Sequence, residues 1–378
     1  MLKSEFIEFA KELKNPHVAS WKAHGGKVVG FYCTDMPEQV IHAAGMLPFR
    51  MRGTTNQDYT LSDAILSRFN CTFVRSALNL AMGGRYDFLD GLVVGNTCDH
   101  IRRMYDIFGK KLAFEPRFFL SLPHVFSEEG HAWARDEIER FVQQLSKAYK
   151  VTITTAALKD ALEVYRANAR LMKKICDMRQ QDEPGISGTD FIKIAVANSS
   201  VRKDYANEQL GELLHAIEAK PPIKNARARL MVAGSFVDNP DFIEVLEHAG
   251  AVVVADSLCI GARSFWDAGI EKDVRASQTD PLDELVTICY ERSLCPRMMG
   301  GHAGRLKYIQ DQIRDAHVDG VIFERMEFCD LHGCSNMMLQ HVLESSGVPV
   351  LSLDREYSLG DTGRFKTRVE AFLEKIGG

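Results

Sequence analysis

Two stretches in which strand and helix patterns alternate, separated by a long helical block, constrain the fold of this chain most strongly. The first stretch contains apolar strand-like runs at residues 27–33 and 88–94, each followed by a helical pattern. The second stretch contains four such runs, at residues 229–234, 251–255, 320–323 and 348–352. Strands that alternate with helices form parallel sheets with right-handed crossovers. The predicted fold class is therefore α/β, with two doubly wound, Rossmann-like parallel-sheet domains.

The block between the two stretches has helical periodicity and charge patterning and no strong strand signal. It runs from about residue 133 to residue 219, and strand patterns resume after residues 220–223. We therefore predict a helical domain inserted between the two sheets. The predicted boundaries are 1–130 for the N-terminal α/β domain, 131–225 for the helical domain and 226–378 for the C-terminal α/β domain.

The composition argues against several classes of function. The net charge is −5 at pH 7, and the sequence has no basic run of the kind that binds nucleic acid or an acidic membrane surface. No apolar run reaches the roughly 18 residues of a membrane span, and residues 1–10 lack the uncharged core of a signal peptide. Nine cysteines in an untargeted chain then indicate the reducing cytoplasm, where thiols and metal ligands are more common than disulfides.

Three of these cysteines, Cys71, Cys98 and Cys329, lie where a predicted strand gives way to a predicted helix. Open α/β sheets bind their ligands at this crevice, and the free N–H groups of helix N-termini stabilise thiolates. Each cysteine alone is also compatible with a core thiol, since free cysteine is among the most buried residue types. Their recurrence at equivalent positions indicates a metal cluster instead. Because they are far apart in the sequence, the two α/β domains must meet for the set to converge.

The spacing of the cysteines argues against two common kinds of metal site. No Cys-x-x-Cys pair occurs anywhere in the chain, whereas structural zinc sites and bacterial ferredoxins use such short spacings. A cluster held by only three cysteines leaves one iron with an open coordination position. An open metal position can bind a substrate or transfer electrons at close range.

Five motifs make the chain similar to a known superfamily. They lie at residues 31–38, 41–48, 96–99, 328–330 and 367–374. In these motifs the chain resembles the 2-hydroxyacyl-CoA dehydratase and benzoyl-CoA reductase superfamily, and the resemblance extends over nearly the whole chain. Residues 50–55 and 67–75 are most similar to the smaller cluster-bearing subunit of ATP-dependent, class I benzoyl-CoA reductase.

The resemblance implies a [4Fe–4S] cluster as cofactor, with Cys71, Cys98 and Cys329 as its cofactor-binding, metal-ligating residues. It also implies an acyl-CoA substrate and two partners, a paralogous cluster-bearing subunit and an ATP-hydrolysing electron-activating module. The function expected from it is reduction of the aromatic ring of benzoyl-CoA to a cyclic dienoyl-CoA, a step of anaerobic aromatic degradation. Two alternatives stay open: a 2-hydroxyacyl-CoA dehydratase subunit that uses a ketyl radical, and a non-catalytic electron-relay or scaffold subunit for a catalytic paralogue.

Residues next to the three cysteines are candidates for supporting roles. His100 could donate a proton near the cluster, or it could be a helix cap or a surface group. Asp99 and Asp330, which each follow a cysteine, could orient the loop amides that face the sulfurs. Double-cubane cluster proteins of the superfamily have extra cysteines in the interval that matches residues 72–97, which contains none in this chain. A double cluster is therefore not expected.

Other cysteines and basic residues leave further alternatives open. Cys295 and Cys334 could approach a cluster or be buried thiols. The glycine-rich residues 300–304, followed by Arg305, could admit a phosphate or form a tight turn. Arg263 could contact CoA or bridge domains. The sequence contains no P-loop motif for ATP. Structural roles are predicted for the remaining cysteines, Cys33, Cys176, Cys259 and Cys289.

Overall fold

The structure, a computed structural model, describes residues 2–53, 58–112, 114–266, 279–357 and 362–377. The strands within these ranges are Val28–Phe31 (β1), Leu47–Arg50 (β2), Gly91–Gly95 (β3), Arg117–Leu120 (β4), Ala228–Gly234 (β5), Ala251–Ser257 (β6), Gly320–Met326 (β7) and Val350–Arg355 (β8). They form two four-stranded sheets in which all neighbours are parallel, with the orders β2-β1-β3-β4 and β6-β5-β7-β8. The predicted α/β class with two doubly wound parallel sheets is confirmed.

Helices surround both sheets and fill the stretch between them. Those before the long helical block are Glu5–Glu8 (α1), Pro16–Ala23 (α2), Glu38–Ala43 (α3), Thr60–Asp63 (α4), Thr72–Met82 (α5) and Asp99–Lys111 (α6), with a 3₁₀ turn at Phe9–Lys11. The block itself comprises Glu128–Tyr149 (α7), Thr155–Gln180 (α8), Gly188–Asn198 (α9) and Lys203–Glu218 (α10). After it come Asp241–His248 (α11), Pro281–Val286 (α12), His302–Asp315 (α13), Asp330–Ser345 (α14) and Thr362–Ile376 (α15), with a 3₁₀ turn at Ala262–Ser264 and a π-helical turn at Thr287–Glu291.

The sequence patterns identify six of these strands and miss β2 and β4. Both missed strands have only four residues and lie at edges of the N-terminal sheet. β2 contains Pro48, which lacks an N–H group and is tolerated in a sheet mainly at an edge. In β2 the residues 47–50 pair in register with residues 28–31 of β1.

The two sheets share one topology, and each has a switch point at its centre. In the N-terminal sheet the two central strands are β1 and β3, and the chain runs from β1 to β2 at one edge and from β3 to β4 at the other. In the C-terminal sheet the central strands are β5 and β7, which lead to the edge strands β6 and β8 in the same way. Ligands of open α/β sheets bind outside the C-terminal ends of strands at such a point. The fold therefore offers two crevices of this kind, one in each sheet.

Local signals explain where three of the four helices of the long block begin. The side chains of Ser127, Thr154 and Ser187 each accept a hydrogen bond from a backbone N–H three residues later, which caps α7, α8 and α9. α7 contacts β4 of the N-terminal sheet, and α8 and α9 contact β6 of the C-terminal sheet, so the block packs on both sheets. Among the described helices, none is both long enough and apolar enough to cross a membrane.

One segment from the second half of the chain packs on the N-terminal sheet. Leu285, Tyr290 and Met298 share a core with the β1 residue Val29 and the α7 residue Phe141. The boundaries predicted at residues 130 and 225 stay predictions. Residues 54 and 55 of the segment 50–55 lie outside the described residues.

Candidate functional site

A cavity of about 460 Å³ lies where the two switch points face each other. Its wall includes residues that follow the central strands of both sheets: Cys33 after β1, Thr97 after β3, Ser235 after β5 and Cys329 after β7. Residues of α8 and α9 also line the wall. Both crevices thus open into a single chamber, in the position where such folds bind their ligands.

Cys71, Cys98 and Cys329 all line this cavity, and each directly precedes a helix, α5, α6 and α14 respectively. The Cys98 Sγ accepts a hydrogen bond from the backbone N–H of Ile101 at 3.5 Å. Helix N-termini direct free N–H groups at such positions and stabilise negative charge on sulfur. The three residues singled out in the sequence therefore come together, and their role as ligands stays a prediction. Cys98 and Cys329 follow β3 and β7 as expected. The strand predicted before Cys71 is wrong, because residues 64–70 between α4 and Cys71 form no strand.

The thiols of these cysteines influence one another. Burial raises the pKa of Cys71 to about 12, and it also raises the pKa values of Cys98 and Cys329. After burial, the Cys98 thiol is the next cause of the raised pKa of Cys71, and both other thiols contribute to the raised pKa of Cys329. The sulfurs are thus near enough to repel one another as thiolates. A bound metal cluster would supply the positive charge that three ionised thiols need.

The residues present fit a cluster better than a single metal ion. No group of three or more His, Cys, Asp or Glu side chains converges on one ion position within the ranges that the structure describes. A single ion needs such convergence, whereas a cubane cluster binds each thiolate through a different iron. Three cysteines at separate helix N-termini around one cavity, as Cys71, Cys98 and Cys329 are, match the second arrangement.

His100, the second residue of α6, connects two of the cysteine segments. The backbone N–H of Cys71 donates a hydrogen bond to the His100 Nδ1 over 3.2 Å. Burial lowers the pKa of His100, which favours the neutral ring. Because Nδ1 accepts, the proton of that neutral ring belongs on Nε2. His100 lines the cavity and braces the Cys71 segment against α6, while proton donation stays a prediction.

Three further cysteines line the cavity, two of them among those predicted to be structural. Cys33 has a left-handed backbone with φ of 71°, and its Sγ lies 3.0 Å from the Thr97 Oγ1. The Arg263 Nη2 donates to the Cys259 Sγ at 3.0 Å. Cys295, the third, has a thiol whose pKa burial raises to about 12. The three cysteines away from the cavity wall are Cys176 and Cys289, which are buried, and Cys334, which is exposed on α14.

An aromatic surface lies beside Cys71. The rings of Phe73 and Phe236 are 4.6 Å apart between centroids, and the Arg50 guanidinium lies over the Phe236 ring at 5.2 Å. Phe265 and Trp266 also line the cavity. An unsaturated or aromatic acyl group can pack on such a surface.

Some charged side chains of the wall form ion pairs. The Arg166 Nη2 lies 2.7 Å from the Glu284 Oε2, and the Arg297 Nε lies 3.3 Å from the Asp35 Oδ2. Arg50 and Lys203 have no such carboxylate partner within the described chain. Sequence reasoning missed both, because a single basic residue at the end of a short strand or the start of a helix has no distinctive pattern.

Comparison with known proteins identifies related chains. The model of a family described as 2-hydroxyglutaryl-CoA dehydratase, D-component, matches residues 33–376. The (R)-phenyllactyl-CoA dehydratase beta subunit of Clostridium sporogenes is 23% identical over 378 residues, which cover 98% of each chain. The beta subunit of the (R)-2-hydroxyglutaryl-CoA dehydratase of Acidaminococcus fermentans is 24% identical, also with 98% of each chain covered. A subunit of the benzoyl-CoA reductase of Thauera aromatica is 24% identical over 93% of this chain and 91% of its own.

The superfamily predicted from the sequence motifs is confirmed by these matches. Relatives from the dehydratase and reductase branches match at almost the same identity and over similar lengths. The comparisons therefore do not separate the two branches.

Proposed function

This chain belongs to the 2-hydroxyglutaryl-CoA dehydratase D-component family, and from that premise we propose that it is a subunit of an iron–sulfur enzyme that reduces an acyl-CoA thioester. Relatives in both branches are named as subunits of enzymes that act on CoA esters. The observation that supports the proposal most directly is the meeting of Cys71, Cys98 and Cys329 at helix N-termini around one cavity.

In this proposal the three cysteines hold a [4Fe–4S] cluster, which supplies one-electron chemistry at low potential when bound. The remaining tasks fall to side chains of this chain. The N-termini of α5, α6 and α14 stabilise the thiolates. His100 joins two cysteine segments through the hydrogen bond that its Nδ1 accepts from the Cys71 amide, and it lines the cavity. The enclosing helices keep bulk water from the reacting group.

The more specific proposal is a benzoyl-CoA reductase subunit that acts in an ATP-dependent complex and converts benzoyl-CoA to a cyclic dienoyl-CoA. It is supported by the ring pair Phe73 and Phe236, on which an aromatic acyl group can stack, and by the similarity of residues 67–75 to the reductase branch. Low-potential electrons come from a separate ATP-hydrolysing module, and a paralogous cluster-bearing subunit completes the complex. The relatives are each named as one subunit of a larger enzyme, which favours such partners.

The second candidate function is that of a 2-hydroxyacyl-CoA dehydratase subunit. It is favoured by the family description and by the two dehydratase beta subunits that align over 98% of this chain. In this case the same one-electron reduction of the thioester would lead to loss of the neighbouring hydroxyl group. The cysteines and the cavity would have the same tasks in both cases.

Product analysis of the complex that contains this chain distinguishes the two candidates. The anoxic complex, supplied with a strong reductant and ATP, is given benzoyl-CoA in one reaction and a 2-hydroxyacyl-CoA in another. The proposal predicts a non-aromatic dienoyl-CoA from the first ester and no enoyl-CoA from the second. Enoyl-CoA from the second ester alone would establish the dehydratase function, and no electron-dependent product from either would contradict both.

A further inference from the structure

Two buried cations in the cavity wall lack an anionic partner. Arg50, the last residue of β2, is 3% exposed, and Lys203, the first residue of α10, is 6% exposed. Both line the cavity. Among the residues that the structure describes, no carboxylate lies within ion-pair distance of either one. An uncompensated charge in a protein interior is costly, so such a charge requires an explanation.

The hydrogen bonds of the two side chains leave donors unused. The Arg50 Nη1 donates to the Cys259 carbonyl oxygen and its Nη2 to the Thr34 Oγ1, both at 2.9 Å, while its buried Nε has no partner within the described ranges. The Lys203 Nζ donates to the Asn198 carbonyl oxygen at 2.6 Å. An ammonium group has three donors, so two of them are left for a ligand.

The electrostatic surroundings keep this part of the cavity positive. Burial is the main cause of the lowered pKa of Lys203. The Glu38 carboxylate raises this pKa, and the Arg50 guanidinium lowers it further. Glu38 also accepts a hydrogen bond from the Tyr165 hydroxyl at 2.9 Å. Its one carboxylate acts on two cations, whereas the neighbouring Arg166 has Glu284 as an ion-pair partner. Asp35 also acts on Arg50, but it is the ion-pair partner of Arg297. The half-buried Arg263 of the wall donates to two carbonyl oxygens and the Cys259 Sγ and adds to the positive charge. Positive charge is thus left over for a bound anion.

The position of Arg50 relates it to the cysteines. Phe73 lies two residues after Cys71, its ring packs against Phe236, and Arg50 covers the Phe236 ring. The cavity wall therefore presents a cysteine thiol, an aromatic surface and a cation in succession. A ligand that lies along this surface has its reacting group near the cysteines and another group near Arg50.

We propose that Arg50 and Lys203 form an anion subsite that binds a negatively charged oxygen group of the acyl-CoA ligand. The inference rests on the proposed function, because it takes the ligand to be an acyl-CoA. Two parts of such a molecule have the required chemistry, a carboxylate on the acyl group and a phosphate of the CoA moiety. Charge-assisted hydrogen bonds from a guanidinium and an ammonium suit both.

Binding measurements with four probes test the subsite and identify which group occupies it. The probes are benzoyl-CoA, 3-carboxybenzoyl-CoA and the two corresponding pantetheine thioesters, which lack phosphates. Calorimetric titration of the anoxic complex containing the full chain compares the wild type with Arg50→Gln and Lys203→Gln. Lys174→Gln is the matched control, because Lys174 is an exposed residue of α8 and its substitution removes the same unit charge.

Each of the two variants should weaken binding by about tenfold or more for probes that carry the anion held by the subsite. If the acyl carboxylate is held, the loss appears with both carboxybenzoyl probes and not with the benzoyl probes. If a phosphate is held, the loss appears with both CoA esters and not with the pantetheine esters. Lys174→Gln should bind all four probes like the wild type.

Two results would overturn the inference. Equal weakening of all four probes would indicate that Arg50 and Lys203 only maintain the shape of the cavity, and unchanged binding of all four would show that they contact no anion. Arg50 also connects segments through Thr34 and Cys259, so Arg50→Gln can fail to fold; Lys203→Gln then provides the test. If the wild type binds none of the probes, the proposed function fails together with the inference. If the wild type binds the probes and neither substitution changes the affinity, the inference is contradicted and the proposed function is not.

Discussion

The ion pair between Arg179 and Asp256 offers a quantitative test of how the helical block is attached to the C-terminal sheet. The Arg179 Nη2 of α8 lies 2.7 Å from the Asp256 Oδ2 of β6, and the side chains are 0% and 1% exposed. The Asp256 Oδ1 accepts hydrogen bonds from the backbone N–H groups of Leu258 and Ala262, at 3.1 and 2.8 Å. The Asp256 carboxylate thus connects α8 to the loop that carries Cys259.

The predicted cost of Asp256→Asn follows from these contacts. Neutralising one partner of a buried ion pair leaves the other charge uncompensated and destabilises a protein by about 3–5 kcal/mol. The new amide also carries only one acceptor oxygen, so either Arg179 or the two loop amides lose their acceptor, at about 1–3 kcal/mol for each buried donor. We therefore expect a loss of about 4 kcal/mol or more, a large part of the total stability of a typical protein.

A matched exposed pair provides the control. Arg325 binds Asp354 through two hydrogen bonds of 2.6 and 2.7 Å, with the side chains 42% and 54% exposed. Water screens this pair, so Asp354→Asn should cost about 1 kcal/mol at most. The geometry of the exposed pair is at least as good as that of the buried one. A larger loss of unfolding free energy for Asp256→Asn than for Asp354→Asn therefore measures the effect of burial.

Urea unfolding followed by far-UV circular dichroism measures both variants. The shift of the midpoint, multiplied by the common slope, gives the change in the free energy of unfolding. A shift for Asp256→Asn no larger than the shift for Asp354→Asn would refute the reasoning. Such a result would mean that water or another group compensates Arg179 in the folded chain.

Three further predictions concern pH, packing and nucleotide binding. Burial and then Arg202 lower the pKa of His42 to about 4, so the unfolded chain takes up a proton more readily than the folded chain and stability falls as the pH falls below 6.5. His42→Gln should remove up to about 2 kcal/mol of the loss between pH 6.5 and pH 5, as measured by urea midpoints. A Cβ added at Gly188 would lie 2.6 Å from the Val253 Cβ, whereas at Gly211 it would meet open space. Gly188→Ala should therefore destabilise by about 1–3 kcal/mol in thermal unfolding and Gly211→Ala should not. Because the sequence lacks a P-loop, calorimetry should detect no Mg-ATP binding to the isolated chain, and saturable micromolar binding would contradict this.

The sequence was sufficient to predict the central strands and the long helical block. β5, β6 and β7 are seven-residue strands that are buried along nearly their whole length, and each contains an uninterrupted apolar run, at residues 230–234, 251–255 and 320–323. Such runs are distinctive of parallel sheets. β2 and β4 escaped prediction because a four-residue edge strand has too few residues to show a period. β2 forms by pairing with β1, and β4 forms by pairing with β3, so both depend on contacts that the local sequence does not show.

The site was predictable only in part. Cys98 and Cys329 could be found because a cysteine where a strand gives way to a helix is a local pattern. Cys71 matches only the helix half of that pattern, since residues 64–70 before it form no strand. The subsite of Arg50 and Lys203 could not be found in this way, since it depends on two residues far apart in the chain and on the absence of a nearby carboxylate among the described residues. Only the folded arrangement shows which basic residues are buried without a carboxylate partner.

The iron content of anoxically purified protein tests the central claim most directly. The wild type should contain about four irons per chain with the spectrum of a cubane cluster. Cys71→Ser, Cys98→Ser and Cys329→Ser should each lose most of this iron, while Cys334→Ser, which changes an exposed cysteine on the same helix that Cys329 precedes, should keep it. Circular dichroism confirms that each variant is folded. Full iron in any of the first three variants would remove that residue from the ligand set, and zinc in place of iron in the wild type would contradict the proposed cluster altogether.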